Sequence, residues 1–206
     1  MPQSRRYKKK KSAGKAILAW IIVLAILAAG VFVFVSVFYE DAKKKLDEMN
    51  YPRTYSTYVE KAAKDYDLDP ALIYAVIHTE SGFDPKAESG VGAKGVMQMM
   101  PSSFEWLQEQ RGCAGQYTED ALFDQKICID YGSYLLKYFY DYYGTERSAI
   151  AAYNAGFVVS DWLNDTNYSS DGKNLDSIPY PETKNYVDKV ESAKEMYIKL
   201  YYSQSN

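Results

Sequence analysis

Histidine is almost absent from this sequence: His78 is the single copy in 206 residues. Any mechanism that needs an imidazole must therefore run through it. His78 stands two positions before Glu80, about 200° away around a helix of 3.6 residues per turn, so the two cannot form a local acid–base pair. The HExxH zinc pattern, the GxxxxGK[ST] phosphate loop and the nucleophile-elbow motif are all missing. A structural role for His78 is the expected one. Cysteine is equally sparse. Cys113 and Cys128 are the only two, and with one histidine they leave a zinc site short of ligands. A disulfide between them is permitted outside a membrane, while a buried Cys128 on a helix and an unpaired Cys113 in a loop fit equally well. No metal and no organic cofactor is implied. Sustained strand alternation is the third absence, although a small hairpin fits residues 90–97.

Charge is missing from one long stretch. Residues 16–39, AILAWIIVLAILAAGVFVFVSVFY, contain no Asp, Glu, Lys or Arg, and at the helical rise they cover a hydrocarbon core of about 30 Å. A cleaved signal peptide has a shorter apolar region, typically about 7–15 residues. This run continues past Ala28, Ala29 and Gly30, so an uncleaved single-pass anchor is expected. Residues 1–15 carry seven basic side chains and no acid, against a mixed-sign EDAKKKLDE after the run, which predicts a cytoplasmic N-terminus and an extracytoplasmic remainder. The overall net charge of -3 hides this division: beyond residue 15 there are 17 basic and 27 acidic side chains, a net of -10. So acidic a domain is a poor nucleic-acid binder, since phosphate neutralisation supplies most of that affinity.

What is present is helical. Signals fall at 55–66, 70–80, 102–110, about 121–143, 147–154 and 181–202, with Asp69-Pro70 as a cap and first-turn pair. Residues 40–49 read as a short charged helix, and Pro52 marks a break. The expected organisation is a basic cytoplasmic arm (1–15), a transmembrane anchor (16–39), a juxtamembrane linker (40–53) and one mainly α domain (54–206) with at most a small β-hairpin.

Glu80 closes the apolar run that leads into "VIHTESGFDP". Ile73, Ile77 and Glu80 follow i, i+4, i+7 and so share one stripe of a helix. If the isoleucines are core, the carboxyl is carried to the core's edge. Desolvation there raises its pKa, and the negative end of the helix pushes the same way. A carboxylic acid kept protonated near neutral pH is what glycosidic cleavage needs to protonate a leaving oxygen. The same spacing also fits a solvated glutamate at a frayed helix end.

Three blocks bear on the choice. "ESGFDPKAESGVGAKGVMQMMP" at 80–101, "AYNAG" at 152–156 and "IPYPETKNYV" at 178–187 resemble, in order and spacing, the lytic transglycosylases of the lysozyme-like superfamily, relatives of goose-type lysozyme. The resemblance implies a mainly α lysozyme-like fold and cleavage of the β-1,4 bond between N-acetylmuramic acid and N-acetylglucosamine in peptidoglycan. The muramoyl 6-hydroxyl there attacks its own anomeric carbon, giving a 1,6-anhydro end. It further implies that Glu80 is the lone acid and later base, that Ser89 lies near its carboxyl, and that Gln98 and Met100 line the glycan cleft. Tyr153 and Asn154 would face the bond to be cut, and Tyr186 would lie close to the glutamate. Two departures stand out. Val96 replaces a common Leu, and "FVVSDWL" after AYNAG is about one residue shorter than the family's usual Gly-Val continuation. A lysozyme-like hydrolase, a catalytically silent glycan-binding protein and an adaptor using the basic arm on anionic lipids are the competing readings. The partners implied are glycan strands and, through residues 16–39, a membrane. Tyrosine number alone, 21 copies, carries no argument for sugar stacking, and Trp106 and Trp162 read as packing residues.

Overall fold

The computed structural model describes residues 4–203, and the chain divides into two compact units, residues 1–50 and residues 51–206. Among the described residues of the first unit there is one helix, α1 (Ser4–Asn50); residues 1–3 of the basic arm lie outside the description. The apolar side chains between 16 and 39 are exposed within this unit, and its most apolar 18-residue window has a mean hydropathy of 3.0. The charged stretch after residue 39 is not a separate helix. It continues α1 to Asn50, because no glycine or proline interrupts it and Lys45 reaches back to Asp41 at 3.1 Å across one turn. Pro52 then disfavours helical geometry at Tyr51 and ends the run.

The second unit holds α2 (Ser56–Tyr66), α3 (Pro70–Ser81), α4 (Pro101–Gln110), α5 (Gln125–Tyr143), α6 (Glu146–Ala155), α7 (Val159–Asn164) and α8 (Pro181–Tyr197). It begins at Tyr51 rather than Thr54. The carbonyl of Tyr51 accepts from the Tyr201 hydroxyl at 2.8 Å and that of Pro52 from Tyr197 at 3.1 Å. Arg53 pairs with Glu60 at 2.6 Å and lies over the rings of Tyr74, Tyr201 and Tyr202. These residues are therefore packed against the C-terminal helix and are no linker.

Helix α3 is the axis of the unit. The Asp69 carboxylate accepts from the Ala71 N–H, Pro70 occupies the first turn, and all seven residues from Ala71 to Ile77 are buried. A helix buried on every side needs neighbours all round, and α2 and α8 supply them. The expected helix at 121–143 is split. Asp124 adopts an extended conformation and caps α5 by accepting from the N–H groups of Lys126 and Ile127, while Glu119–Phe123 forms a 3-10 turn before it. Helix α7, not anticipated from the sequence, follows α6 through the 3-10 turn Gly156–Val158. The hairpin expected near 90–97 is reduced to two isolated antiparallel pairings, Glu88 with Lys94 and Lys94 with Met99, and no strand is present among the described residues.

Candidate active site

The last turn of α3 delivers Glu80. Gly82 ends the helix in the left-handed region (φ 58°), its N–H bonded to the His78 carbonyl, a conformation that glycine adopts without steric cost. Ser81 then turns inward. Its hydroxyl donates to the Val96 carbonyl at 2.8 Å and accepts from the Phe83 N–H at 3.1 Å. The glutamate's helix end is thus tied to the loop that forms the facing wall.

That wall, residues 94–98, is held from three sides. The Tyr153 hydroxyl on α6 donates to the Met97 carbonyl at 2.9 Å. The Met97 N–H points at the Cys128 sulfur on α5 at 3.4 Å. Gly95 (φ 74°) lies so close to its surroundings that a Cβ there would stand 2.0 Å from the Leu122 carbonyl oxygen and 2.9 Å from the Cys128 sulfur. Only glycine fits, for space as well as for backbone angle. Gln98 is itself left-handed (φ 48°), held so by its side-chain amide, which donates to the carbonyls of Ala87 and Gly95, both at 3.0 Å.

Glu80 is half-buried in this setting, and burial pushes its carboxyl up to about 7, with the Tyr186 hydroxyl pulling it back only in part. Among the described residues no second acidic group acts on it. The Tyr186 hydroxyl is buried without a closed hydrogen bond, so its pull on Glu80 comes from proximity rather than from a fully formed bond. Burial first, and the Glu80 charge second, raise the phenols of Tyr153 and Tyr186 well above their ordinary value, so both stay protonated. Burial likewise raises the Cys128 thiol to about 12, and Glu80 adds to that rise.

Glu80, Tyr153 and Tyr186 thus come together, from α3, α6 and α8. Asn154 is exposed beside them, and its side-chain oxygen accepts from the Thr183 hydroxyl on α8 at 2.7 Å. Met100 is 38 % exposed at the start of α4. Ser89 and Gln98 face inward to the loop: the Ser89 hydroxyl accepts from the Ala93 N–H at 2.9 Å, so both residues shape the wall. Three supporting residues were not singled out from sequence: Ser81, Cys128 and Thr183. Ser81 and Thr183 lie inside the quoted motifs, which was their only signal. Nothing in the sequence placed Cys128 under Met97. Both cysteines are free thiols, with the Cys113 sulfur 3.3 Å from the Tyr131 hydroxyl. His78 faces away from the site and stacks on Tyr51 with centroids 4.8 Å apart, lining a separate cavity of about 550 Å³ with α8 residues. That cavity does not include Glu80.

Chemically, the arrangement offers one protonated carboxyl near neutral pH, two neutral phenols beside it and a rigid loop wall. A family model described as "Transglycosylase SLT domain" matches residues 57–175. The chain is 31% identical over 146 residues to a soluble lytic murein transglycosylase of Escherichia coli K12, covering 69% of this chain and 23% of that protein. It is 30% identical over 167 residues to the membrane-bound lytic murein transglycosylase C of Actinobacillus succinogenes, covering 70% of this chain and 47% of that one. In structure it is similar to an inactive mutant, glutamate replaced by glutamine, of the lytic transglycosylase Slt from Pseudomonas aeruginosa. The TM-score is 0.65 at 29% identity, over 74% of this chain and 25% of the other. The chain therefore spans less than half the length of these relatives.

Proposed function

The chain belongs to the transglycosylase SLT domain family, and from that premise we propose that it is a membrane-anchored lytic transglycosylase of peptidoglycan. The observation that carries the reading is the half-buried Glu80, raised to about 7 with no second carboxylate among the described residues acting on it. Ordinary retaining and inverting glycosidases need two carboxyl groups, roughly 5 Å or about 6.5–9.5 Å apart. A lone carboxyl suffices when the substrate supplies its own nucleophile. In the first step Glu80 gives its proton to the glycosidic oxygen between N-acetylmuramic acid and N-acetylglucosamine. The C1–O4 bond breaks as the muramoyl 2-acetamido oxygen bonds to C1. Glu80, now a carboxylate, takes the proton of the muramoyl 6-hydroxyl, O6 bonds to C1, and the acetamido oxygen leaves. The product is a 1,6-anhydromuramoyl end, and Glu80 is protonated again.

The neutral Tyr186 hydroxyl beside Glu80 supplies a donor that steadies the carboxylate between the two steps, while Tyr153, whose proton goes to the Met97 carbonyl, holds the facing wall. Asn154 and Met100 border the cleft at exposed positions, while Ser89 and Gln98 set the wall's shape. The inactive glutamine mutant of the Pseudomonas relative supports a glutamate as the essential group. Residues 16–39 anchor the chain, a reading that the apolar helix and the membrane-bound relative support; the basic residues 1–15 place the N-terminus in the cytoplasm and the catalytic unit outside.

The test is mass analysis of peptidoglycan digested by the full chain in detergent, beside Glu80→Gln. The expected products are one water lighter than reducing muropeptides and vanish with the variant. Reducing products of ordinary mass would make the protein a hydrolase, and intact glycan from a folded protein would make it a binding module.

A further inference from the structure

A threonine inside a helix usually gives its hydroxyl proton to the carbonyl of the preceding turn. Thr79 in α3 does so, donating to the Ala75 carbonyl at 2.8 Å. Thr183 has no such outlet. It stands in the first turn of α8, which starts at Pro181, so the residue four back, Pro179, precedes the helix. The Tyr180 carbonyl already accepts from the Lys184 N–H at 2.9 Å. The side chain is also sealed from water, with only 2 % of Thr183 exposed. Its proton goes instead across to α6, to the Asn154 Oδ1 at 2.7 Å.

That bond decides which way the Asn154 amide faces. The oxygen and nitrogen of an amide diverge from one carbon, so an oxygen held on α8 turns the NH2 group away from it. The reversed amide would need Thr183 to accept, leaving a buried hydroxyl proton without a partner, which is disfavoured. Among the described residues the Asn154 Nδ2 has no hydrogen-bond partner, and the residue is exposed, directly after Tyr153. Two N–H donors are therefore what the side chain turns outward. They fit an acceptor oxygen of the glycan rather than a hydroxyl proton.

We infer that Thr183 is a positioning residue of the proposed reaction: its hydroxyl fixes the Asn154 amide with the donors outward, so that glycan meets a preset hydrogen bond. Thr183 touches no substrate itself and acts through Asn154. The inference rests on the function proposed above. A purely structural role is distinguishable from positioning, because Tyr186 follows Thr183 by three residues on α8 and both are buried on the same side of that helix. A change that displaced α8 would shift Tyr186 against Glu80 and move the pH at which cleavage falls. Loss of the Thr183 hydroxyl alone leaves that pH in place.

The experiment measures kcat/KM on soluble uncrosslinked glycan strands, with the full chain in detergent. Thr183→Val, close in shape but without the hydroxyl, lowers it about tenfold. Thr183→Ser, which keeps the hydroxyl, brings it back to within about threefold of the parent. In an Asn154→Ala background, Thr183→Val costs less than about a further twofold, since the group it positions is gone. Asn154→Asp, at an exposed position that tolerates change, still accepts from Thr183 but has no donor, and loses at least as much as Asn154→Ala. Circular dichroism verifies that the variants fold, and the pH profile of Thr183→Val keeps the parent's midpoint. Full activity in Thr183→Val or Asn154→Asp, losses that multiply in the double variant, or a moved midpoint overturns the positioning role and leaves the proposed function standing. A parent that cleaves no glycan overturns the proposed function and this inference together.

Discussion

Two apolar helical runs in this chain meet opposite surroundings. Residues 16–39 of α1 are exposed along their length within their own unit, whereas residues 71–77 of α3 are buried on every side by protein. Both are greasy and both are helical; length and termination divide them. The first extends about 36 Å at the helical rise, enough to cross a bilayer, and contains no group that needs a protein partner. The second extends only about 10 Å and stops at His78, Thr79 and Glu80. It must be enclosed by other helices, and the edge of that enclosure desolvates the carboxyl that ends it. A buried run in α3 therefore creates a titrating group, while the longer run in α1 creates none.

Several changes would break or sharpen that contrast. The largest effect is expected in α1. Leu24→Arg together with Leu27→Arg costs insertion about 6 kcal/mol if the two contributions add, and cell fractionation should find the chain released from membranes. Unchanged membrane retention would end the anchor reading. At the end of α3, Glu80→Gln removes the proton donor and lowers cleavage by about 10³-fold at unchanged fold, read from initial rates on purified peptidoglycan. Gly95→Ala attacks the wall facing Glu80. A Cβ there meets the Leu122 carbonyl at 2.0 Å in a left-handed residue, and chemical denaturation should show a loss of about 3 kcal/mol.

The raised carboxyl also makes stability depend on pH. Folded Glu80 holds its proton up to about pH 7, whereas the unfolded chain releases it near pH 4.5. The stabilisation is complete below the lower value and is lost as pH rises through the upper one. Between pH 5 and pH 8 the parent should therefore lose on the order of 2 kcal/mol relative to Glu80→Gln, measured as parallel denaturation midpoints. Cleavage should fall over the same rise in pH, because the first step needs the protonated form. The smallest effect belongs to Tyr153→Phe. It removes the hydroxyl that holds the Met97 carbonyl and costs about 1 kcal/mol of stability, with KM rising more than kcat falls if the wall positions glycan.

Some of this was legible in the residues and some was not. Asp69-Pro70 opens α3 because capping chemistry is local, and the structure starts the helix there. The split at Asp124 was not legible, since a capping aspartate inside a helical pattern competes with the continuing run only when its backbone turns extended. Helix α7 escaped because six residues give too little periodicity to read. Tyr51–Arg53 resembled a linker because their partners, Tyr197, Tyr201 and Tyr202, lie some 145 residues away. Within the site, Glu80 was visible from its stripe with Ile73 and Ile77, and Tyr153, Asn154 and Tyr186 from their motifs. Cys128 was not, because the Met97 N–H it receives comes from 31 residues earlier in the chain.

By itself, then, the sequence determined what depends on neighbours along the chain: the length of the apolar run in α1, the helix caps, the change of charge at residue 15, and Glu80 at the end of a buried stripe. Tertiary structure alone decided how far Glu80 is desolvated, that Tyr153 and Tyr186 stay neutral beside it, and that Ser81, Cys128 and Tyr153 hold one loop from three sides. Burial and hydrogen-bond geometry are set by segments far apart in sequence that close on one another only when α3 is enclosed.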